Sequence, residues 1–162
     1  MVVFGKAHKE ALAPIYLNDS SIDYVHEWKY LGVTIVGGNS LTFSARTELS
    51  SFFRATNAIT SVLRGAHEHT ILTLIYSNCV PIISYACNVK QFSASEMSDC
   101  NTAINNALRK VFGFSEWQSI QTLREIFGFK SIYEIFKMAE NRFLVACRSH
   151  MNPIVRFISS LA

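Results

Sequence analysis

The chain lacks the short motifs that mark common enzyme sites. Its 162 residues contain no glycine-rich phosphate loop, no His-Glu-x-x-His segment, no Gly-x-Ser-x-Gly turn and no Asp-Asp pair. The acids Asp19, Asp23 and Asp99 are scattered through predicted turns and helix starts, whereas two-metal phosphoryl transfer needs carboxylates close together. We therefore predict no catalytic residue in this chain, and we interpret Asp19 and Asp23 as turn residues.

Paired cysteine motifs are also missing. The four cysteines lie in apolar helical patterns without a Cys-x-x-Cys spacing, at Cys79, Cys87, Cys100 and Cys147. We predict that they are buried free thiols in a reducing compartment. The pairs Cys147 with His150 and His67 with His69 each lack the second ligand pair of a zinc site. The sequence therefore predicts no metal and no cofactor bound by this chain.

No long apolar run is free of polar residues. The apolar segment 70–89 is interrupted by Ser77, Asn78, Pro81, Ser84 and Asn88, which predicts a buried, bent helix and no membrane span. The first residues, Met1–Phe4, lack the charged leader and full apolar stretch of a signal peptide. We expect no membrane partner and an intracellular location, cytoplasmic or nuclear.

Charge of either sign is sparse, but it is unevenly distributed. Charged residues make up 17% of the chain and the formal net charge is +3. The last third is the most basic part, since residues 107–156 contain eight Lys or Arg and four Glu. A solvated helix face is the commoner cause of such a surplus, and a nucleic-acid surface is the alternative.

The chain is rich in apolar and aromatic side chains. It contains 49% hydrophobic residues and twelve Phe, which is enough to bury a core.

Short β-type segments precede Gly37-Gly38 and predict one small antiparallel sheet. The segments are Val2–Phe4, Pro14–Leu17, Ile22–Val25 and Trp28–Val36, with a turn at Asn18–Ser21.

After residue 40 the apolar periodicity is helical. It predicts a helix over 41–63 and a second from His67, which Pro81 must bend or divide and which resumes over Ile82–Val89. A third begins at the capping box Ser93–Glu96 and ends near Gly113, and a fourth covers Ile120–Phe127. A fifth begins at the capping box Ser131–Glu134 and ends at Asn152-Pro153, with a final turn or two over Ile154–Leu161. The predicted fold class is α+β and mostly α: a short antiparallel β segment followed by a bundle of about five helices.

The stretch Trp28-Lys29-Tyr30 combines two aromatic side chains with a cation. Aromatic faces can stack on bases, and a lysine can meet a phosphate. The alternative is that the two aromatic residues, which share one face of a strand, pack beneath the helices. From residue types alone, the second interpretation is the more common one.

The segment Trp28–Val33 resembles the Phe/Trp-Lys-Tyr-Leu-Gly-Val/Ile signature of reverse transcriptases from non-LTR (LINE-type) retrotransposons. Other segments are similar in the same order. Val2–Lys6 resembles the strand closing the palm, Leu72–Tyr85 resembles a helix of the thumb, and Leu108–Gly113 with Leu123–Ile135 resembles the basic helical region that follows. The resemblance spans nearly the whole chain.

The resemblance implies that residues 1–38 are the end of the palm with the primer-grip β-hairpin, and that residues 39–162 are the helical thumb and the following helical region. The family's primer grip positions the 3′ end of the growing strand, and the matching residues here are Trp28, Lys29, Tyr30, Leu31 and Gly32. From charge and position on the first helix, we add Arg46 and Arg54 as candidates for contact with the duplex backbone.

The sequence departs from the family at the catalytic centre. The family's Mg²⁺-binding carboxylates lie in palm segments that include an Asp-Asp turn, which this sequence does not contain. We therefore expect a carboxy-terminal fragment of an RNA-directed DNA polymerase that holds an RNA/DNA primer–template duplex and is inactive alone. The alternative is a non-catalytic helical interaction module, whose exposed apolar surface binds a palm and fingers domain or another protein.

Overall fold

The computed structural model describes residues 1–6, 13–88, 90 and 92–160. Within these ranges the chain is mixed α+β, with short antiparallel strands followed by helices, as the sequence predicts. The strands are β1 (Ile15–Leu17), β2 (Ser20–Ile22), β3 (Glu27–Tyr30), β4 (Val33–Val36) and β5 (Thr42–Ser44).

These strands form two sheets, so the prediction of one sheet is wrong. β1 and β2 pair only with each other, while β3, β4 and β5 form a three-stranded antiparallel sheet in that order. The predicted strand Ile22–Val25 begins earlier and ends at Ile22. The amide of Val25 donates to the Met1 carbonyl at 2.9 Å and not to a neighbouring strand, so the chain leaves the first sheet before it enters the second.

The predicted first strand, Val2–Phe4, is reduced to one parallel bridge between Phe4 and Gly38. The amide of Gly5 also donates to the Gly38 carbonyl at 2.9 Å. The amino-terminal segment therefore lies beside the end of β4 without adding a full strand to its sheet.

The stretch Trp28–Val36 is a hairpin and not one strand. It turns at Leu31 and Gly32, whose φ angles are +47° and +78°. Two successive left-handed residues are the requirement of a two-residue turn matched to the twist of a hairpin. The same geometry occurs in the first sheet, where Asn18 and Asp19 connect β1 to β2 with φ angles of +47° and +61°.

The first helix begins five residues later than predicted. Residues Thr42–Ser44 form β5, with Phe43 opposite Ile35 of β4, and α1 begins at Arg46. The sequence predicts Phe43 on a helix face because it fits the apolar periodicity. Pairing with β4 satisfies the backbone of this short segment, and the sheet thereby continues beyond residue 38.

The helices are α1 (Arg46–Val62), α2 (Glu68–Leu74), a π-helical turn (Ile75–Cys79), α3 (Val80–Ser84), α4 (Ala94–Phe112), α5 (Gln121–Phe127), α6 (Ile132–Arg148) and α7 (Pro153–Ser159). Because α2, the π-helical turn and α3 follow one another without a break, the described residues contain six helical segments. The sequence predicts about five and, after the fifth, a final turn or two.

The two predicted capping boxes are confirmed. The Ser93 hydroxyl accepts from the amide of Glu96, and the Glu96 carboxylate accepts from the amide of Ser93. Ser131 and Glu134 make the same reciprocal pair at the start of α6. The predicted glycine stops are also present, with left-handed backbone at Gly113 and Gly128.

Pro81 lies in the first turn of α3, directly after the π-helical turn, so the helix changes its hydrogen-bond pattern there and is not divided. The wider turn shifts the hydrogen-bond pattern, and the amide of Val80 donates to the Ile75 carbonyl. The predicted continuation over Ile82–Val89 is wrong, because α3 ends at Ser84 and Ala86 has a φ of +54°. Val89 lies outside the described residues.

The motif Asn152-Pro153 begins a helix, whereas the prediction placed the end of the preceding helix there. α6 has already ended at Arg148. The Asn152 side chain accepts from the amide of Ile154 at 2.9 Å, and Pro153 is the first residue of α7. Proline is favoured at this position because its missing N–H would have no helical partner. Leu161 lies outside the described residues.

The core lies among the helices. Its most buried side chains come from α1, from the continuous segment α2 to α3 and from α4. The residues before α1 and α5 and the first residue of α6 complete the cluster, which consists of Ala45, Phe52, Ile71, Leu72, Ile75, Cys79, Val80, Ile83, Cys100, Ala103, Ile104, Ala107, Leu108, Ile120 and Ile132. The strands contribute no residue to this cluster. Among the described helices, none has the length and apolar character needed to cross a bilayer.

Candidate nucleic-acid interface

The β3–β4 hairpin has an aromatic face that the helices leave open. Trp28 and Tyr30 are two residues apart on β3, so their side chains lie on the same side of the sheet. Their side chains are 58% and 60% exposed. The interpretation that these rings pack beneath the helices is therefore wrong.

The opposite face of the hairpin is turned toward the helices. Lys29 lies opposite Thr34 in the strand register, and Thr34 is buried. Lys29 and Gly32 line a cleft of about 360 Å³ together with residues of α1 and α3 and with Tyr85. Lys29 and Thr34 thus lie on the side of the hairpin that meets the helices, whereas the exposed Trp28 and Tyr30 rings lie on the other side.

Tyr85 fixes the tip of the hairpin. Its hydroxyl donates to the Leu31 carbonyl at 3.1 Å. A Cβ atom at Gly32 would lie 3.0 Å from Cε1 of the Tyr85 ring, so a side chain there would press on that ring in addition to straining the left-handed backbone. Fifty-four residues separate Tyr85 from Leu31, and this contact joins the hairpin to the end of α3.

Arg46 and Arg54 both lie on α1, and both are exposed. The two arginines are eight residues apart. At about 100° per residue, their Cα atoms lie about 80° apart around the helix axis, on one broad side. The amide of Arg46 donates to the Ser44 hydroxyl at 3.3 Å, which joins α1 to β5. The Arg54 guanidinium donates to the Ser51 hydroxyl one turn earlier, at 3.1 Å. Both guanidinium groups remain accessible to a polyanion.

A buried ion pair lies behind the hairpin. Lys90 donates to Oε1 of Glu48, and the two residues are 4% and 8% exposed. The other carboxylate oxygen, Oε2, is buried without a hydrogen-bond partner. Each charge depends on the other in this environment, so the pair ties α1 to the segment between α3 and α4.

The four thiols are free, as predicted, although their burial differs. Cys79 and Cys100 are buried, whereas Cys87 and Cys147 are half-buried. Burial raises the pKa of the Cys100 thiol to about 11, with a further contribution from the nearby acids Glu96 and Asp99. Within the described ranges, no three His, Cys, Asp or Glu side chains come together in a group that could hold a metal.

The structure thus brings together the five predicted hairpin residues, and it places the two arginines on the adjoining helix. Sequence reasoning did not find Tyr85, Glu48 or Lys90 as parts of this region. Tyr85 ends the thumb-like segment of the resemblance, but nothing in its local pattern indicates a partner in the hairpin. Glu48 and Lys90 are 42 residues apart, and each is an ordinary surface residue by type.

Comparison with models of known protein families, with curated proteins and with solved structures finds no significant match to this chain.

Proposed function

We propose that the chain is a carboxy-terminal fragment of a non-LTR (LINE-type) reverse transcriptase, with a primer-grip hairpin and a helical thumb that hold an RNA/DNA primer–template. The observation that carries the proposal is the exposed pair Trp28 and Tyr30 on a hairpin whose tip is held by Tyr85. Two rigidly presented aromatic rings offer a stacking surface for unpaired bases.

Charge supports the same assignment. Arg46 and Arg54 follow the hairpin on α1, and both are exposed. Arginine binds phosphate through a planar set of donors. Contacts of this kind are independent of sequence and weaken as salt rises, because binding releases counterions from the nucleic acid.

The proposal includes no catalytic step in this chain. Phosphoryl transfer by the resembled enzymes requires Mg²⁺ held by palm carboxylates, and this sequence contains no Asp-Asp turn. The residues present can stack on, orient and neutralise a strand. They supply no paired carboxylates to bind the metal ions of the reaction.

The test is binding of a fluorescently labelled RNA/DNA hybrid with a single-stranded overhang, measured by anisotropy across a salt series. We expect affinity to fall steadily with salt. The double variant Trp28→Ala/Tyr30→Ala should weaken binding by about tenfold or more, given the usual energy of stacking between a base and an aromatic ring.

A matched control is available in two exposed aromatic residues outside the hairpin, Trp117 and Tyr16, which are 94% and 64% exposed. The variant Trp117→Ala/Tyr16→Ala removes the same ring types and should retain the original affinity. Equal losses in the two double variants, or binding that does not depend on salt, would contradict the proposal.

A second function is favoured by the apolar surface of the last helices. On α7, Ile154, Phe157 and Ile158 are each at least 60% exposed at helical spacing, and Phe143 and Val145 of α6 are also exposed. Large exposed apolar patches mark protein-interaction sites, and α7 offers such side chains at helical spacing. Concentration-dependent association in sedimentation experiments, abolished by Phe157→Asp, without any affinity for nucleic acid would support this module in place of the first function.

A further inference from the structure

A second cleft lies away from the hairpin, between the end of α4, the helix α5 and the start of α6. Its volume is about 740 Å³, within the range of small-molecule sites in proteins. Asn105 and Arg109 line it from α4, Arg124 from α5, and Lys130 from the loop before α6. The cleft therefore collects polar side chains from three separate elements.

Three cations converge on this cleft: Arg109, Arg124 and Lys130. They belong to the basic last third of the chain, so part of its charge surplus is concentrated at one concave surface. The cleft also contains two acids. Glu134 accepts from the amide and hydroxyl of Ser131, and Glu125 accepts from the Gln121 side chain at 3.2 Å. The acids are thus engaged in local hydrogen bonds, and the charges of Arg124 and Lys130 also contribute to lowering the pKa of the Glu134 carboxyl.

The cations differ in how firmly they are held. The Arg109 guanidinium donates to the Gln118 carbonyl and to Asn106, and Arg124 reaches across to Asn101 at 3.2 Å. Lys130 is exposed and its ammonium group contacts the Met138 sulfur at 3.0 Å, a weak acceptor. Lys130 is therefore the cation most available to a ligand.

The loop that carries Lys130 is fixed in place. The Tyr76 hydroxyl donates to the Lys130 carbonyl at 3.1 Å. The Tyr76 ring stacks on Phe129 with 4.3 Å between ring centroids. A loop held by these contacts can present its ammonium group without a large ordering cost on binding.

Two buried polar atoms in the same cleft have no hydrogen-bond partner, Nε of Arg124 and Oδ1 of Asn105. Buried unpaired polar atoms are uncommon in folded proteins. Both atoms belong to residues that line the cleft, so the protein alone does not satisfy all the polar groups of this region.

We infer that this cleft binds the phosphate group of a nucleotide unit through Lys130, Arg109 and Arg124. Phosphate oxygens match the donors of lysine and arginine. The ligand can be a free nucleotide or one unit of a strand, and the chemistry of contact is the same. This site does not rest on the hairpin function.

The test is a titration of the full ¹⁵N-labelled chain with AMP, with a 5′-phosphorylated trinucleotide and with adenosine, followed by NMR. We expect saturable shifts at the amides of Ser119 and Lys130 for the two phosphorylated ligands and none for adenosine. Tighter binding of the trinucleotide identifies a strand as the ligand, and equal binding identifies the free nucleotide.

Lys130→Ala should raise the dissociation constant by about tenfold, as expected for loss of a charged hydrogen bond. Lys137→Ala is the matched control, because Lys137 is an exposed lysine on α6 that does not line the cleft. Equal weakening by both variants, or equal binding of adenosine and AMP, would overturn the inference. Trp28→Ala/Tyr30→Ala should leave AMP binding unchanged, which separates this site from the hairpin.

Discussion

Gly32 meets two requirements at the hairpin tip. Its φ of +78° is disfavoured for residues with a side chain, and the Tyr85 ring occupies the space that a Cβ would need. Leu31, the other turn residue, has a left-handed backbone despite its side chain. The tip thus retains strain of the kind that persists where surrounding contacts determine the conformation.

Gly32→Ala should destabilise the fold more than Gly65→Ala. Both residues have a positive φ, but a Cβ at Gly65 would meet nothing within 4 Å. We expect a loss in the free energy of unfolding of about 1 kcal/mol at Gly65 from backbone strain and about 2 kcal/mol at Gly32, where the Tyr85 ring must also move. Denaturant unfolding followed by circular dichroism measures both. Equal losses would show that Tyr85 does not constrain the tip.

The thiols should differ in reactivity with a disulfide reagent. Cys79 and Cys100 are fully buried, and burial raises the pKa of both thiols, that of Cys100 to about 11. Burial also raises the pKa of the half-buried Cys87. Because the thiolate is the reactive form and a fully buried thiol is out of reach, native protein at about pH 8 should react first at Cys147, more slowly at Cys87, and not at the two buried thiols. Counting released chromophore in native and denatured protein checks this. Fast reaction of all four thiols in the native protein would contradict the buried positions.

At the scale of elements, the helices were the predictable part. The capping boxes at Ser93 and Ser131 define helix starts within one short segment, so their positions follow from local chemistry. The strand β5 was missed because Phe43 also fits a helical period, and three residues are too few for a strand pattern to prevail. Its existence depends on pairing with β4, which is tertiary information.

The candidate site also has features that the sequence predicts and features that it does not. Trp28 and Tyr30 were identified from residue type and resemblance, and alternation along β3 correctly placed them on one face. Their exposure was not predictable, because it depends on which side of the sheet the helices cover. The link from Tyr85 to Leu31 spans 54 residues, and no local pattern encodes it.

The capping box of α6 should make stability depend on pH in the acid range. Hydrogen bonds from the Ser131 amide and hydroxyl lower the pKa of the Glu134 carboxyl from its ordinary value of 4.5. A group with a lowered folded-state pKa contributes stability above the unfolded pKa, and the contribution is lost as pH falls through the folded pKa. Glu134→Gln should therefore destabilise the protein near neutral pH, and the difference from the original protein should shrink below about pH 4.

The measurement is the free energy of unfolding of each protein over a series of pH values. Glu140→Gln is the control, because Glu140 is an exposed acid on the same helix outside the capping box. A difference for Glu134→Gln that is constant with pH would show that the carboxylate does not act through its charge.

At the scale of the molecule, the sheet is attached to the helices through few polar contacts. The strands contribute nothing to the main apolar cluster. The attachment uses Tyr85 at the hairpin tip and Glu96 of α4, whose carboxylate accepts from the amide of Ala45 at 3.3 Å. The buried pair of Glu48 and Lys90 lies beside this junction, since Glu48 and Lys29 line the same cleft. The orientation of the hairpin relative to the helices therefore depends on polar contacts.

Breaking the buried pair should be costly, whereas replacing both partners should not be. Lys90→Met leaves the Glu48 carboxylate buried without a countercharge, and we expect a loss in the free energy of unfolding of about 3 kcal/mol or more. In Glu48→Leu/Lys90→Met no charge remains to be compensated, so most of that loss should be recovered. Lys137→Met changes an exposed lysine and should cost less than about 0.5 kcal/mol. If Lys90→Met were as mild as Lys137→Met, the pair would be accessible to solvent, and α1 would be held to the segment between α3 and α4 by other contacts.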